Sequence, residues 1–456
     1  MASLFKGYNR DIKYLLPPSV TDWLQAGHLA YFVSDIVDKL DLSEIKNTYK
    51  GGGQQGYDPE ILICLLFYGY MTGVFSSRKI ENATYESIPF RYLASNQHPD
   101  HDTIATFRRR FLPELTGIFV QILTIAREIG VKKVGTVSLD GTKVRANASK
   151  HKALSWGYAN KLEAQLKSEI ESLMKKAEVM DSTVDDQGMD IPEEIILRED
   201  RLKAIDKAKR IILVRSKERY AHEKEKYDTK VRLREEKARI TGKKSNGKTP
   251  TPPVDEPRDK DQVNLTDEES RIMPVKGGGF DQCYNAQASV DVDSMIIVAT
   301  DVTTHTNDKK EIAPAIIELE KLDNDIAEVE NLLADTGYHS AENVELCIDH
   351  NISPLIAGKR ENHHPSPEER FAEPAPLPEN ATPFMCASHR LTTQEGKKLY
   401  AKRKSTVEPV FGIVKSVMGF RQFSLRGEEK VKGEWKLVAI CWNIKRLHKI
   451  KESMAQ

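Results

Sequence analysis

Three acids in this sequence have the types and positions that metal-assisted phosphoryl chemistry needs. Asp140 follows Val134, Thr136, Val137 and Leu139, a run that reads as a strand, and Asp335 follows a second apolar run, Val329 to Ala334. Glu408, next to Pro409, opens a helical stretch beginning at Thr406. Carboxylates from two strand ends and a nearby helix can converge on one point, where hard oxygen ligands hold Mg²⁺. Two such ions, roughly 4 Å apart, would clamp the attacking and leaving oxygens of an in-line phosphoryl transfer. One would activate water or a 3′-hydroxyl and the other would neutralise the leaving oxygen. Each acid alone also has an ordinary reading. Asp140-Gly141 and Asp335-Thr336-Gly337 are turn sequences, and Glu408 suits a helix N-terminus electrostatically. Their order and flanks together carry the assignment.

The elements that must position these acids follow from the patterning. Residues 1–130 read as an all-helical N-terminal domain. Pro17-Pro18-Ser19 is a helix start ahead of Trp23, Leu24, Leu29, Phe32 and Val33, and Asp58-Pro59-Glu60 starts an apolar helix. Asp102-Thr103 caps a short helix, Ile104 to Phe111, that carries Arg108, Arg109 and Arg110. With the helix before Asn96–Asp100 it forms a candidate helix-turn-helix for DNA, or an ordinary basic surface helix. Residues 131–150 hold the first strand, ending in a sharp turn at Asp140-Gly141-Thr142. Residues 151–270 read as an insertion. Leu162, Leu166, Ile170, Leu173, Ala177 and Met180 form a coiled-coil seam, a polar break follows at Ser182–Pro192, and a second helix would complete an antiparallel hairpin. The Pro- and Lys-rich stretch from Thr241 to Ser270 reads as a disordered connector.

Residues 271–456 complete the pattern with a hairpin (286–292 and 295–302), then helix, strand, helix, strand and helix. With the insertion set aside the order is βββαβαβα, that of a mixed α/β ribonuclease H-like sheet. His305 and Asp308 follow a strand near the site and read either as support for it or, more simply, as an ordinary loop. Cys386 and His389 are two candidate ligands on a surface hairpin, too few for zinc.

Composition bounds the function. The chain has 456 residues, 68 Lys+Arg and 68 Asp+Glu, so its net charge is zero. That zero is segregated: residues 201–248 carry +11, 400–451 carry +9 and 311–380 carry −12. Basic segments can hold phosphates without sequence information, although on 201–248 a solvated coiled coil explains the charge equally well. Five scattered cysteines without C-x-x-C argue against a disulfide framework and for a reducing cytoplasm. The apolar run Ile61–Phe75 is shorter than the roughly 20 residues of a membrane span and reads as a buried helix.

The motifs around the acids resemble a known family. Ser138-Leu139-Asp140-Gly141-Thr142-Lys143 with Ala146-Asn147-Ala148-Ser149, then Tyr284-Asn285-Ala286-Gln287, look like the first half of a bacterial insertion-sequence transposase. Leu333-Ala334-Asp335-Thr336-Gly337-Tyr338 and Thr406-Val407-Glu408-Pro409-Val410-Phe411-Gly412-x-x-Lys415 look like its second half. The nearest resemblance is to the eleven-eighty-two group of DDE transposases. It implies a DDE triad of Asp140, Asp335 and Glu408 binding two Mg²⁺, with Mn²⁺ able to substitute, and Gly141, Thr142, Asn285, Gly337 and Tyr338 in support. Related groups carry a Tyr-x2-Arg-x3-Glu-x6-Lys signature. Glu408 and Lys415 keep the six-residue gap and Tyr400 and Arg403 keep theirs, but four residues separate Arg403 from Glu408, which leaves Lys404 as a rival for the arginine's role. Lys415 would grip a phosphate of the transposon end, or is a solvated helix lysine. The implied partners are double-stranded DNA, as inverted-repeat ends and as target, and further copies of the chain on DNA. No membrane is implied, and the location is cytoplasmic, at the nucleoid when DNA is bound. Two other functions fit the same acids: a nuclease or resolvase without strand transfer, and a non-catalytic DNA-binding derivative.

Overall fold

The computed structural model describes residues 19–49, 56–180, 191–242, 248–275, 277–358, 376–378 and 380–454. In chain order, helices α1 (Leu29–Val37), α2 (Ser43–Lys46), α3 (Pro59–Thr72), α4 (Ser77–Glu86), α5 (Ile88–Leu93), α6 (His101–Arg110) and α7 (Leu115–Ile129) precede the first strand. Strands β1 (Val134–Arg145) and β2 (Ala153–Ser155) lead to α8 (Trp156–Met180) and α9 (Ile191–Thr241). Then come β3 (Gln262–Asn264), β4 (Arg271–Pro274), β5 (Phe280–Asp291) and β6 (Ile297–Thr303). Next α10 (Ile312–Glu320), β7 (Ala327–Ala334), α11 (Ala341–Asp349) and β8 (Ser353–Ile356) alternate. They are followed by α12 (Pro383–Arg390), α13 (Gln394–Ala401), α14 (Val407–Ser416) and α15 (Glu428–Met454). By internal contacts the chain divides into two compact units, residues 1–144 with 284–456, and residues 145–283.

The first unit combines the N-terminal helices with the mixed sheet. Asp58 caps α3 by accepting the Glu60 N–H, Pro59 opens it, and Gly73 ends it at φ +84°, a conformation that suits glycine. The expected apolar helix is therefore present and buried. Two other starts differ from the sequence reading. Ser19 caps only a short 3₁₀ turn, Val20–Trp23, and α1 begins at Leu29 with His28 as its cap, because Gly27 at φ +77° breaks the path between them. Asp100, not Asp102, caps α6, accepting the Thr103 N–H at 2.8 Å, so that helix begins at His101. Among the described residues no single helix is long and apolar enough to cross a membrane.

The sheet of this unit runs β6-β5-β1-β7-β8, with β5 and β6 antiparallel and β7 parallel to both β1 and β8. Counted along these five strands alone, the spatial order is 3-2-1-4-5. The architecture is mixed α/β with a helical N-terminal region, consistent with the ribonuclease H-like expectation. Helix α15 is the wall that sheet and N-terminal helices share. On the sheet side Trp435 Nε1 donates to the Gln287 carbonyl, and the Asn443 amide both accepts from Ile297 N–H and donates to Ile297 O, each at 2.8 Å. On the helical side the buried Glu434 carboxylate accepts from the Tyr70 hydroxyl and from the Ser424 and Leu425 N–H groups. A buried carboxylate must be satisfied in this way or lose its charge.

The second unit is built on α8 and α9. Leu166 packs with Ile205, Ala208 and Ile212, and β2 pairs antiparallel with β3 beside them. Lys209 pairs with Glu163 and Arg198 with Glu169, so contacts advance along one helix as they retreat along the other, as in an antiparallel pair. Of the expected break at Ser182–Pro192, residues 182–190 lie outside the described residues, as do the side chains of Ala177 and Met180, and Ile191 and Pro192 already belong to α9. Much of the basic charge on α9 is locally neutralised, Lys203 by Asp200, Arg210 by Asp206 and Arg219 by Asp261. The expected disordered connector is corrected over its described part. Val263 and Asn264 are buried in β3, the Asn264 amide donates to Ser149 O, and Arg258 forms a two-oxygen contact with Glu223 of α9. A short apolar anchor with satisfied polar flanks is enough to seat a segment that is Pro-rich overall.

Candidate active site

Asp140 lies within β1, not at its end: the strand continues without a turn to Arg145. Gly141 therefore serves a close approach, not a reversal. A Cβ there would lie 2.7 Å from Asp308 Oδ1 and 2.9 Å from Asn285 Oδ1. Asp335 follows the last residue of β7 and caps a 3₁₀ turn, Thr336–Tyr338. Glu408 is the second residue of α14. All three of the expected acids face one cation, Arg403, which sits in a 3₁₀ turn (Lys402–Ser405) between α13 and α14.

Arg403 Nη2 lies 3.0 Å from Asp140 Oδ2 and 3.9 Å from Asp335 Oδ2, and its Nη1 lies 3.1 Å from Glu408 Oε1. The other oxygen of each aspartate is held by backbone: Asp140 Oδ1 accepts the Gly141 N–H and Asp335 Oδ1 accepts the Gly337 N–H, each at 2.8 Å. Each aspartate thus has one oxygen fixed and one turned toward the shared centre. The Asp140 side chain is 17% exposed, against 41% for Asp335 and 52% for Glu408. Burial pushes the Asp140 carboxyl up to about 6, with Arg403 pulling it down and Asp335 and Asp308 pushing it further up. Burial works against the Arg403 charge, yet Asp140, Tyr400, Asp335 and Glu408 together hold its pKa above the ordinary arginine value.

A polar network sits behind the acids. Asn285 and Gln287 share one face of β5 and donate to Asp308 Oδ1 at 2.6 and 2.9 Å, and Lys143 Nζ lies 3.6 Å from the same oxygen. The buried Tyr338 hydroxyl donates to Gln287 Oε1, and burial raises its pKa well above the usual tyrosine value. Gln287 is the residue that sequence reasoning missed, and Asp308, for which the sequence favours an ordinary loop, is the acceptor at the centre of this network. The available signal was the spacing of Asn285 and Gln287, two apart and therefore on one face of the strand.

The other expected residues separate into groups. Lys404 is exposed, whereas Arg403 is buried among the acids, so position favours Arg403 over its rival. Tyr400 packs against the Val292–Leu333–Leu355 cluster. Lys415 Nζ donates to the Lys143 carbonyl of β1 at 2.8 Å, and Thr142 is half-buried on the same strand. Arg108 turns inward and donates to the Tyr70 hydroxyl and the Phe75 carbonyl. Arg109 is exposed, and Arg110 lies over the Tyr49 and Phe111 rings. Cys386 and His389 lie on helix α12, not on a hairpin.

The donor set suits a hard divalent cation, since three carboxylates from separate elements already share one cationic partner. Among the described residues no group of three or more His, Cys, Asp or Glu side chains is placed to hold a metal ion, and the three acids are arranged around the guanidinium instead.

Comparison with known families bears on this geometry. Residues 18–110 match a family described as Transposase domain (DUF772), and residues 382–448 match one described as Transposase DDE domain. The second match contains Arg403, Glu408 and Lys415. The two matches together support an insertion-sequence DDE transposase. The matched stretches leave out Asp140 and Asp335, whose link to Glu408 rests on the geometry above. No curated protein and no solved structure matches the chain.

Proposed function

We propose that this transposase cleaves DNA at the ends of its element and joins the freed 3′-hydroxyl to target DNA, with Asp140, Asp335 and Glu408 as the ligands of two divalent ions. The observation that carries this reading is the convergence of all three carboxylates on the Arg403 guanidinium. Bound there, Mg²⁺ or Mn²⁺ would supply the positive charge that phosphoryl transfer requires. The chain's own residues orient the ligands. Gly141 and Gly337 N–H groups fix one oxygen of each aspartate, and the Asn285–Asp308–Gln287–Tyr338 network holds β1, β5 and the turn after β7 in place.

Lys415 stands seven residues after Glu408, on the same face of α14, and places an ammonium beside β1 for a phosphate of the transposon end. Lys404, Arg109 and Arg110 are exposed cations that add phosphate contacts, and the helices within residues 1–130 carry the end-binding role. The assignment to the eleven-eighty-two group, assembly of several copies on DNA and a location at the nucleoid belong to the same reading, on the strength of the sequence motifs.

A joining assay tests it. Pre-cleaved ends with a free 3′-hydroxyl are incubated with target DNA and Mg²⁺, and covalent products are expected. Hydrolysis without any joining would favour the nuclease reading instead.

A further inference from the structure

The central positive charge of this site is supplied by the protein itself. The Arg403 side chain is only 10% exposed, and among the described residues its guanidinium hydrogen-bonds to Asp140 and Glu408 alone, with Asp335 close by. Among the described residues its buried Nε has no hydrogen-bond partner. A planar guanidinium that spans carboxylates from β1, the turn after β7 and α14 does what a cation shared by those ligands would do. It keeps like charges together in a partly desolvated place. It also obstructs them, because a fixed positive charge within 4 Å of each ligand oxygen repels any divalent ion that uses the same oxygens.

The exchange has a natural acceptor. Arg403 is carried on a short 3₁₀ turn between exposed Lys402 and Lys404, on the segment that leads into α14. A guanidinium leaving the carboxylates presents the same two-pronged donor to a phosphate, which it matches as well as it matches a carboxylate.

We propose that Arg403 is a displaceable internal cation, which holds Asp140, Asp335 and Glu408 together in the free protein and passes to a DNA phosphate when divalent ions take the carboxylates. The inference rests on the triad reading above and adds to it that DNA and metal each favour the binding of the other through this one side chain. By linkage the two effects are equal in size. Arg403 is thus a positioning residue whose departure is coupled to substrate.

The test measures Mn²⁺ affinity of the full-length chain by the loss of the free-ion electron paramagnetic resonance signal, with no DNA present. Arg403→Met is expected to bind Mn²⁺ at least about tenfold more tightly than the wild type. Arg403→Lys keeps the charge but cannot span three acids, and a few-fold tightening is expected. Melting curves establish that each variant is folded; if Arg403→Met is not, Arg403→Lys decides. Folded variants that bind Mn²⁺ no more tightly than the wild type overturn the exchange. A short mixed-sequence duplex should then tighten Mn²⁺ binding more in the wild type than in Arg403→Met, and equal tightening would also overturn it. Adding Asp140→Ala to Arg403→Met separates the two levels. If Mn²⁺ binding does not change, the triad reading fails. If binding depends on Asp140 yet is no tighter than in the wild type, only the exchange fails.

Discussion

Gly141 on β1 faces the Gln287 amide on β5 so closely that no Cβ fits between them. Gln287 cannot give way without loss, since its nitrogen is tied to Asp308 and its oxygen to Tyr338. A methyl group at this point would push apart the strand that carries Asp140 and the network behind it. Gly141→Ala should lower stability by roughly 1–3 kcal/mol, as overpacking does, and reduce strand cleavage more than it reduces DNA binding. An unchanged melting temperature would show that the network yields freely.

Asp140 makes stability depend on pH. Its carboxyl sits at about 6 in the folded chain against an ordinary 3.8, so the folded state binds more protons between those values. The stabilisation is present below the lower value and is lost as pH rises through the upper one, amounting to roughly 3 kcal/mol. Denaturant unfolding of the metal-free protein should show this fall, and Asp140→Asn should flatten it and be the more stable protein at pH 7. A wild-type profile as flat as that of Asp140→Asn would contradict the assignment.

Lys415 has both a structural and a DNA-binding part in this account. Lys415→Ala removes the bond to the Lys143 carbonyl, worth about 1 kcal/mol. It should also reduce the salt dependence of DNA binding by about one phosphate's worth. Loss of stability with an unchanged salt slope would leave Lys415 a purely structural residue.

Arg108 and Arg109 are neighbours with opposite expected behaviour. Arg108 supports Tyr70, which in turn bonds the buried Glu434, so Arg108→Ala should cost about 1–3 kcal/mol. Arg109→Ala should change stability by less than about 0.5 kcal/mol and weaken DNA binding. Titration with denaturant and DNA separates the two, and reversed outcomes would misplace the DNA-facing surface of α6.

Much of the site was legible in the sequence because strand-end acids and their flanks are local features. Asp335 and Glu408 stand where those flanks place them. Asp140 was legible as a candidate ligand on the first strand but not as a mid-strand residue, because Asp-Gly has the same signature whether glycine reverses the chain or permits a close approach. Asp308 was legible as a neighbour of the site but its partners were not, since Asn285 and Gln287 lie 23 and 21 residues away and meet it only through the sheet. The one-residue excess between Arg403 and Glu408 was legible but not its consequence. A 3₁₀ turn and the non-helical Thr406, at φ −115° and ψ −85°, return Arg403 to the acids, which helical spacing cannot express.

The central claim is that Asp140, Asp335 and Glu408 act as one metal-dependent reaction centre on DNA. Cleavage of a labelled duplex bearing the element's end, in Mg²⁺ or Mn²⁺, tests it with Asp140→Asn, Asp335→Asn and Glu408→Gln, each at matched folded fraction and DNA occupancy. The account predicts that each substitution alone lowers cleavage at least about a hundredfold, and that combining them adds little more because the residues act as a unit. Cleavage at the wild-type rate by any one of the three folded, DNA-bound variants would contradict it.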